Sequence, residues 1–391
     1  MTKVQCLILA VMCSMVAACW PNEEVKHHPG DGVGPTPTPP PEDQEGKPAV
    51  PPEGVGDEKL PSLAQAYQDF FTVGAAVTSQ RLAKDGAFIA KHFNRLVAEW
   101  EMKWGPVQRI EGEFDFRGAD KIVDFAAANG MRVTGHTLIW HLDTPRWVFY
   151  DENGKLVSKE LLSARMRAHI FQVMSRYKGK IDNWDVANEV LSDNPDEVYR
   201  QSEFYKIYGS EEYVAQAYLW AAEADPEVEL WYNDYCLVLP DKLPKALQLI
   251  RFLKSRGVKL TGVGLQGHYN IYWPPKAQVQ AAIQQILAEG VKVKISELDL
   301  TIYNDYATGK FVGEPEKDFT AEIDSQQAFQ YGRLFELFRE LKGQMAHVTL
   351  WGVADDSTWL DTMVPGRKDH PLLFNEKLQP KKAFFNVVNF R

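Results

Sequence analysis

Eight short apolar runs, alternating with amphipathic stretches that often show helical spacing, constrain this chain more than any other feature of its sequence. The runs are Phe71–Val77, Asn94–Glu99, Arg132–Trp140, Ile181–Glu189, Glu229–Tyr235, Gly262–His268, Lys292–Leu300 and His347–Ala354. Near-continuous apolar runs of this length read as strands buried on both faces. Between them, Ala119, Ile122, Val123 and Ala126 recur at helical spacing, as do Val279, Ile283, Ile286 and Leu287. Each set therefore lies on one face of a helix. Asn129-Gly130 and Arg256-Gly257 supply helix stops just before a strand. Eight strand–helix units predict an α/β fold, a closed (β/α)8 TIM barrel over residues 61–391. An open doubly wound sheet has the same local grammar. Against it, no Gly-x-Gly-x-x-Gly phosphate loop follows the first strand.

The N-terminal part does not belong to that pattern. Lys3 followed by the apolar stretch Leu7 to Val16 reads as a secretory signal over residues 1–18, too short to span a bilayer. Val16-Ala17-Ala18-Cys19 resembles a bacterial lipobox, which makes Cys19 the expected lipidation site. Residues 20–60 hold ten prolines, six glycines, nine acidic residues and three lysines. So few apolar groups cannot pack, and residues 19–60 are expected to be a lipidated cysteine and a disordered, extended linker. The sequence thus predicts an exported bacterial lipoprotein held at a membrane, outer membrane or cell surface, by its N-terminal lipid. Of four cysteines, Cys6 and Cys13 lie in the signal and Cys19 carries the lipid, leaving Cys236 without an internal disulfide partner.

The charge balance narrows the possible partners. Lys plus Arg total 43 against 53 Asp plus Glu, a net charge of −10. Phosphate backbones would be repelled, so no nucleic-acid partner is expected. No His-Glu-x-x-His or Cys-x-x-Cys spacing is present, and no Gly-x-Ser-x-Gly elbow. Those absences argue against a catalytic metal and against a serine nucleophile, and no cofactor is expected.

Chemistry in such a barrel sits where strands end and the following loops begin. Polar residues cluster at those ends. They are Glu99 and Lys103 after the second run, His136, Trp140 and His141 at the third, Asn188-Glu189 at the fourth and Asn233-Asp234 at the fifth. Gln266 and His268 close the sixth, Glu297 and Asp299 the seventh, and Trp351 sits late in the eighth. Glu189 and Glu297 form the best pair for acid–base work, 108 residues apart on opposite sides of the mouth. Glycoside hydrolysis needs such a pair, one acid for the leaving oxygen and one nucleophile or base. Either could instead be a rim ion pair. Neighbours on a regular strand face opposite ways, so Asn188 and Glu189 both reach the mouth only if the strand ends or bulges there.

At these residues the chain resembles the family 10 glycoside hydrolases, mostly endo-1,4-β-xylanases. The likeness is carried by Glu101-Met102-Lys103-Trp104, Gly135-His136-Thr137-Leu138-Ile139-Trp140-His141, Trp184-Asp185-Val186-Ala187-Asn188-Glu189, Tyr232-Asn233-Asp234-Tyr235, Gly262-Val263-Gly264-Leu265-Gln266-Gly267-His268, Ile295-Ser296-Glu297-Leu298-Asp299 and Trp351-Gly352-Val353, in the family's order. It covers roughly residues 62–391. The resemblance implies a retaining endo-1,4-β-xylanase that cuts xylan or xylo-oligosaccharides by double displacement. By it, Glu189 matches the acid/base, Glu297 the nucleophile, and Asn188 the residue that bonds the sugar 2-hydroxyl. His268 and Asp299 match the groups that hold the nucleophile, while Glu99, Lys103, His136, Trp140, Gln266, Trp351 and Trp359 match the cleft lining. Rival readings are a β-1,4-glucanase of the same clan, a non-catalytic glycan-binding lipoprotein and, last, a metal-dependent sugar isomerase. A monomer is expected.

Two positions depart from the family pattern. Glu99 is followed by Trp100 where the family usually has Asn, and Trp140-His141-Leu142 leads to Asp143 where it usually has Gln. By the resemblance, both positions contact sugar on the non-reducing side of the cut, where bulk and charge are expected to alter substrate preference. The Thr301–Gln326 connection is long for its place in a barrel and carries Tyr303, Tyr306 and Phe311. It is expected to add a wall to the leaving-group side, the alternative being a surface excursion.

Overall fold

The computed structural model describes residues 60–304 and 314–390. The expected signal, Cys19, the linker to residue 59, and Tyr306 and Phe311 lie outside the described residues.

Among the described residues nine strands build the barrel: β1 Thr72–Val77, β2 Arg95–Ala98, β3 Arg132–Trp140, β4 Asn183–Asn188, β5 Glu229–Asp234, β6 Gly262–Leu265, β7 His268–Asn270, β8 Lys292–Thr301 and β9 Met345–Leu350. They pair in parallel in the order β1 to β6, then β6 with β8, β8 with β9, and β9 back to β1. β7 also pairs with β8, through His268 opposite Asp299. The ring therefore has eight staves, and the sixth is made of two pieces. The sequence suggests one run there, Gly262–His268. Gly267, at φ +87°, breaks it, because that left-handed backbone cannot continue a strand.

Main helices alternate with the strands: α1 Ser79–His92, α2 Arg117–Ala128, α3 Lys159–Tyr177, α4 Glu212–Ala224, α5 Leu243–Ser255, α6 Lys276–Ala288, α7 Ala321–Glu340 and α8 Lys382–Val388. Side-chain oxygens of Thr78, Ser158 and Thr320 accept N–H groups in the first turns of α1, α3 and α7. Ala119, Ile122, Val123 and Ala126 are buried on α2, and Val279, Ile283 and Ile286 on α6. Leu287 is only partly buried against the same core.

The barrel interior is polar as well as apolar. Lys294 on β8 reaches Asp185 on β4 at 2.6 Å. These strands are not neighbours, so the bond crosses the lumen. Arg95 on β2 binds both oxygens of Asp182, just before β4, at 2.7 Å each. Above this layer Ala76, Val97 and Trp351 form a small apolar cluster, joined by Trp359, apart from the main core. Main-core and lumen packing is close enough to require glycine. A Cβ on Gly135 would lie 2.2 Å from the buried Trp184 ring, and one on Gly262 would lie 2.3 Å from Trp231.

Candidate active site

Two irregularities of the backbone create the site. β4 ends at Asn188, and Glu189 adopts a left-handed conformation with φ 55°. This costs a residue with a Cβ about 1–2 kcal/mol. It lets Asn188 and Glu189 face the same space, as their adjacency required. On β8 the register shifts between Ile295 and Leu298. Val293 and Ile295 join the main apolar core, Lys294 and Ser296 point into the lumen, and Glu297 also reaches the lumen. The alternation that placed Glu297 with Val293 and Ile295 is therefore broken by the bulge.

A continuous chain of hydrogen bonds joins the two glutamates. Glu189 Oε1 accepts the amide N–H groups of Asn188 at 3.1 Å and Gln266 at 2.9 Å, and its Oε2 accepts the Trp140 indole N–H at 2.8 Å. Asn233 donates to Asn188 Oδ1 at 2.9 Å and to Glu297 Oε1 at 2.6 Å, while accepting the Ser296 hydroxyl at 2.5 Å. The other Glu297 oxygen faces His268 Nε2 at 3.1 Å. His268 Nδ1 faces Asp299 at 2.9 Å, and Asp299 accepts the Trp359 indole N–H at 2.8 Å.

His268 lies between two carboxylates, so only the imidazolium can donate at both nitrogens. Burial opposes charge on this ring, but Asp299 and Glu297 outweigh it and push its pKa up to about 10. The site thus holds a fixed cation against Glu297 at neutral pH.

The β2–β3 side of the mouth carries a second group. Lys103 Nζ lies 4.7 Å over the Trp140 ring and 5.5 Å over Trp100, and 3.5 Å from Asp143. Trp100 is 39% exposed, enough to present a face to a ligand. Burial raises the Asp143 carboxyl pKa, Lys103 lowers it, and the nearby Glu189 raises it further. Burial likewise raises that of Glu99, against Lys103. His136 Nδ1 meets Asp185 at 3.0 Å, and its ring lies edge-on to Trp351 at 5.6 Å. Burial would raise the Asp185 pKa, but Lys294 and His136 hold it below the ordinary range.

Glu99, Trp140, Asn188, Glu189, Gln266, His268, Glu297, Asp299 and Trp351 lie at or near the C-terminal ends of the strands, Lys103 and Trp359 lie in the connections that follow β2 and β9, and His136 sits mid-way along β3 rather than at its end. Trp351 is the first residue after β9 rather than a late strand position, because the chain leaves the sheet at Leu350 and turns through Gly352 at φ +139°. His141, the first residue after β3, lies edge-on to the Trp140 ring at 6.0 Å, and burial together with the Arg200 charge pushes its pKa down to about 3. Tyr303 does not form a wall. It is fully buried, bonds the Lys368 carbonyl at 2.7 Å and lies under Arg367. Among the described residues no group of three His, Cys, Asp or Glu side chains is placed to hold a metal ion. Arg200, Lys294 and Ser296 go unmarked as site residues in the sequence, although each bonds a site group or its backbone. A lysine inside the apolar run Val293–Ile295 is the one signal that could have been read.

Comparison with known proteins agrees with this geometry. The model of glycosyl hydrolase family 10 matches residues 62–390. A β-1,4-xylanase from Dictyoglomus thermophilum is 43% identical over 333 residues, 85% of this chain and 92% of that protein. Endo-1,4-β-xylanase B from Paenibacillus barcinonensis is 41% identical over 331 residues, 84% of this chain and 98% of that protein. Among solved structures, a P. barcinonensis xylanase in complex with a conduramine derivative superposes with a TM-score of 0.80 at 41% identity, covering 84% of this chain and 98% of that one. An endo-1,4-β-xylanase from Caldicellulosiruptor owensensis gives 0.79 at 39% identity, covering 85% and 100%.

Proposed function

The chain belongs to glycosyl hydrolase family 10, and from that membership we propose that it is a retaining endo-1,4-β-xylanase with Glu297 as nucleophile and Glu189 as acid/base. The observation that carries the residue assignment is the bonded path from Glu189 through Asn188 and Asn233 to Glu297, across the mouth of the barrel. Family 10 enzymes retain configuration, so two carboxyl groups act in turn. Glu297 attacks the anomeric carbon as Glu189 protonates the departing glycosidic oxygen. The bond from the anomeric carbon to that oxygen breaks, and one to Glu297 forms. Glu189, now a carboxylate, takes a proton from water, whose oxygen displaces Glu297 and yields the β-anomer.

Each neighbour has work in this cycle. Asn233 and His268 donate to the two Glu297 oxygens and fix the carboxylate in place for attack. Asp299 and Trp359 fix the His268 ring. Trp140 and Gln266 hold the Glu189 carboxyl. Lys103, Glu99 and His136 offer charged and polar groups to sugar hydroxyls, and the Trp faces offer apolar surface to sugar C–H bonds. Cleavage of xylohexaose, followed by proton NMR of the first anomer, tests the proposal. Internal cleavage giving β-anomer first supports it; α-anomer first, or no cleavage, refutes it.

We also propose that the protein is exported and tethered to a membrane through lipid on Cys19. The lipobox-like Val16-Ala17-Ala18-Cys19 and the proline-rich stretch behind it support this reading. Cys19→Ala should move the enzyme from the membrane fraction to the soluble one, and unchanged fractionation would refute the anchor.

A further inference from the structure

We infer that Arg200 is a positioning residue for the acid/base, locking the left-handed turn that aims Glu189 into the cleft. Three consecutive carbonyl groups after β4 end on this one residue. Arg200 Nε donates to the Glu189 carbonyl at 3.1 Å, its backbone N–H to that of Val190 at 2.8 Å, and Nη2 to that of Leu191 at 3.3 Å. Nη2 also meets Asp193 at 3.1 Å and the Tyr235 hydroxyl at 2.7 Å. The Val190 N–H is taken by the Tyr232 hydroxyl at 3.2 Å, and the Glu189 N–H by the Asn233 carbonyl at 2.9 Å. The turn is thus tied on the N–H side to β5 and on the carbonyl side to Arg200.

Glu189 needs this because its φ of 55° is one that a residue with a Cβ does not hold unaided. The alternative is the extended conformation, which continues β4 and turns the carboxyl away from Asn188 and Gln266. Only a planar fork reaches the Glu189 and Leu191 carbonyls together; a lysine ammonium supplies its donors from a single point. Arg200 touches no reacting atom. Its effect passes through the backbone of Glu189, so its loss should resemble a weakened acid/base rather than a weakened cleft.

This inference rests on the acid/base role proposed for Glu189, and the test separates the two. The kcat/KM of wild type, Arg200→Ala, Arg200→Lys, Asp193→Asn and Glu189→Ala is measured on xylohexaose, on phenyl β-xylobioside and on 2,4-dinitrophenyl β-xylobioside. Dinitrophenolate leaves without a proton, so that substrate reports everything except proton donation in the first step. Arg200→Ala should fall about 10²-fold on the first two substrates and less than about threefold on the third. Arg200→Lys, which keeps the charge and loses the fork, should show the same imbalance at smaller size. Guanidinium ion added at millimolar concentration should restore Arg200→Ala but not Glu189→Ala. Asp193→Asn, which leaves the carbonyl clamp in place, should stay near wild type on all three. Near-UV circular dichroism identifies an alanine variant that has not folded; the lysine variant then decides. Equal losses on all three substrates for both Arg200 variants, with Glu189→Ala showing the imbalance, would overturn the inference. Equal losses in Glu189→Ala itself would instead overturn the acid/base assignment.

Discussion

Replacing His268 by Gln should remove a large and pH-dependent part of the stability of this enzyme. The imidazolium sits between Asp299 and Glu297 with its pKa pushed up to about 10, against burial, from an ordinary value of 6.5. Each tenfold gain in proton affinity corresponds to about 1.4 kcal/mol, so the charge on this ring contributes about 5 kcal/mol in the folded state. The sign follows from a folded-state pKa above the unfolded one. The contribution is fully present below pH 6.5, falls through the interval above it, and is gone once pH passes about 10. Glutamine keeps one amide donor near Glu297 but no charge, and leaves two buried carboxylates without their cation. Urea unfolding of wild type and His268→Gln at pH 6, 8 and 10 reads the effect directly. The stability gap should be about 3–5 kcal/mol at pH 6 and should shrink by about 1.4 kcal/mol for every step of one in pH between pH 6.5 and pH 10. Activity should fall alongside, because Glu297 loses its charged donor. A gap that stays constant from pH 6 to pH 10 would refute the claim that the ring is held as a cation.

Other consequences follow from the same geometry. Glu189→Ala should lose about 10²–10⁴ in rate on xylan and far less on dinitrophenyl glycosides in the first step, with azide restoring turnover; equal losses and no azide effect would count against it. The Lys103 ammonium lies between the Trp100 and Trp140 rings and beside Asp143. Trp100→Asn with Asp143→Gln should therefore change the product profile on linear xylohexaose and on arabinose- or glucuronate-decorated xylan, and identical profiles would remove any specificity role for these two residues. Gly135→Ala puts a methyl group 2.2 Å from the Trp184 ring, so it should cost about 1–3 kcal/mol in urea unfolding, and wild-type stability would show that the ring can move aside.

The barrel was legible because its strands are buried on both faces and its helices on one. Those two periodicities write themselves into residues such as Val293 and Ile295, or Ile122 and Ala126. What periodicity cannot show is where a strand departs from its own rule. The bulge at Ile295–Leu298 and the left-handed Glu189 both break the alternation, and both lie at the site. They were legible only as a requirement, since adjacent residues had to face one way. The split at Gly267 was hidden because a glycine within an apolar run has no distinctive neighbour pattern. Tyr303 reads as a surface aromatic in a long connection, yet its partners Lys368 and Arg367 come from more than 60 residues away. Arg200 is similarly invisible: the bonds that hold the turn go to the backbone carbonyls of Glu189 and Leu191, which carry no side-chain signature.

The proposed double displacement puts a covalent bond between Glu297 and the sugar while Glu189 manages the proton. The most direct measurement is to trap that bond with a 2-deoxy-2-fluoro-β-xylobioside carrying a dinitrophenolate leaving group. The fluorine slows hydrolysis of the intermediate, and peptide mass spectrometry then locates the sugar. One added xylobiosyl unit is expected, on the peptide bearing Glu297, and none in Glu297→Ala. Sugar attached to another residue, or inactivation by no covalent adduct at all, would contradict it.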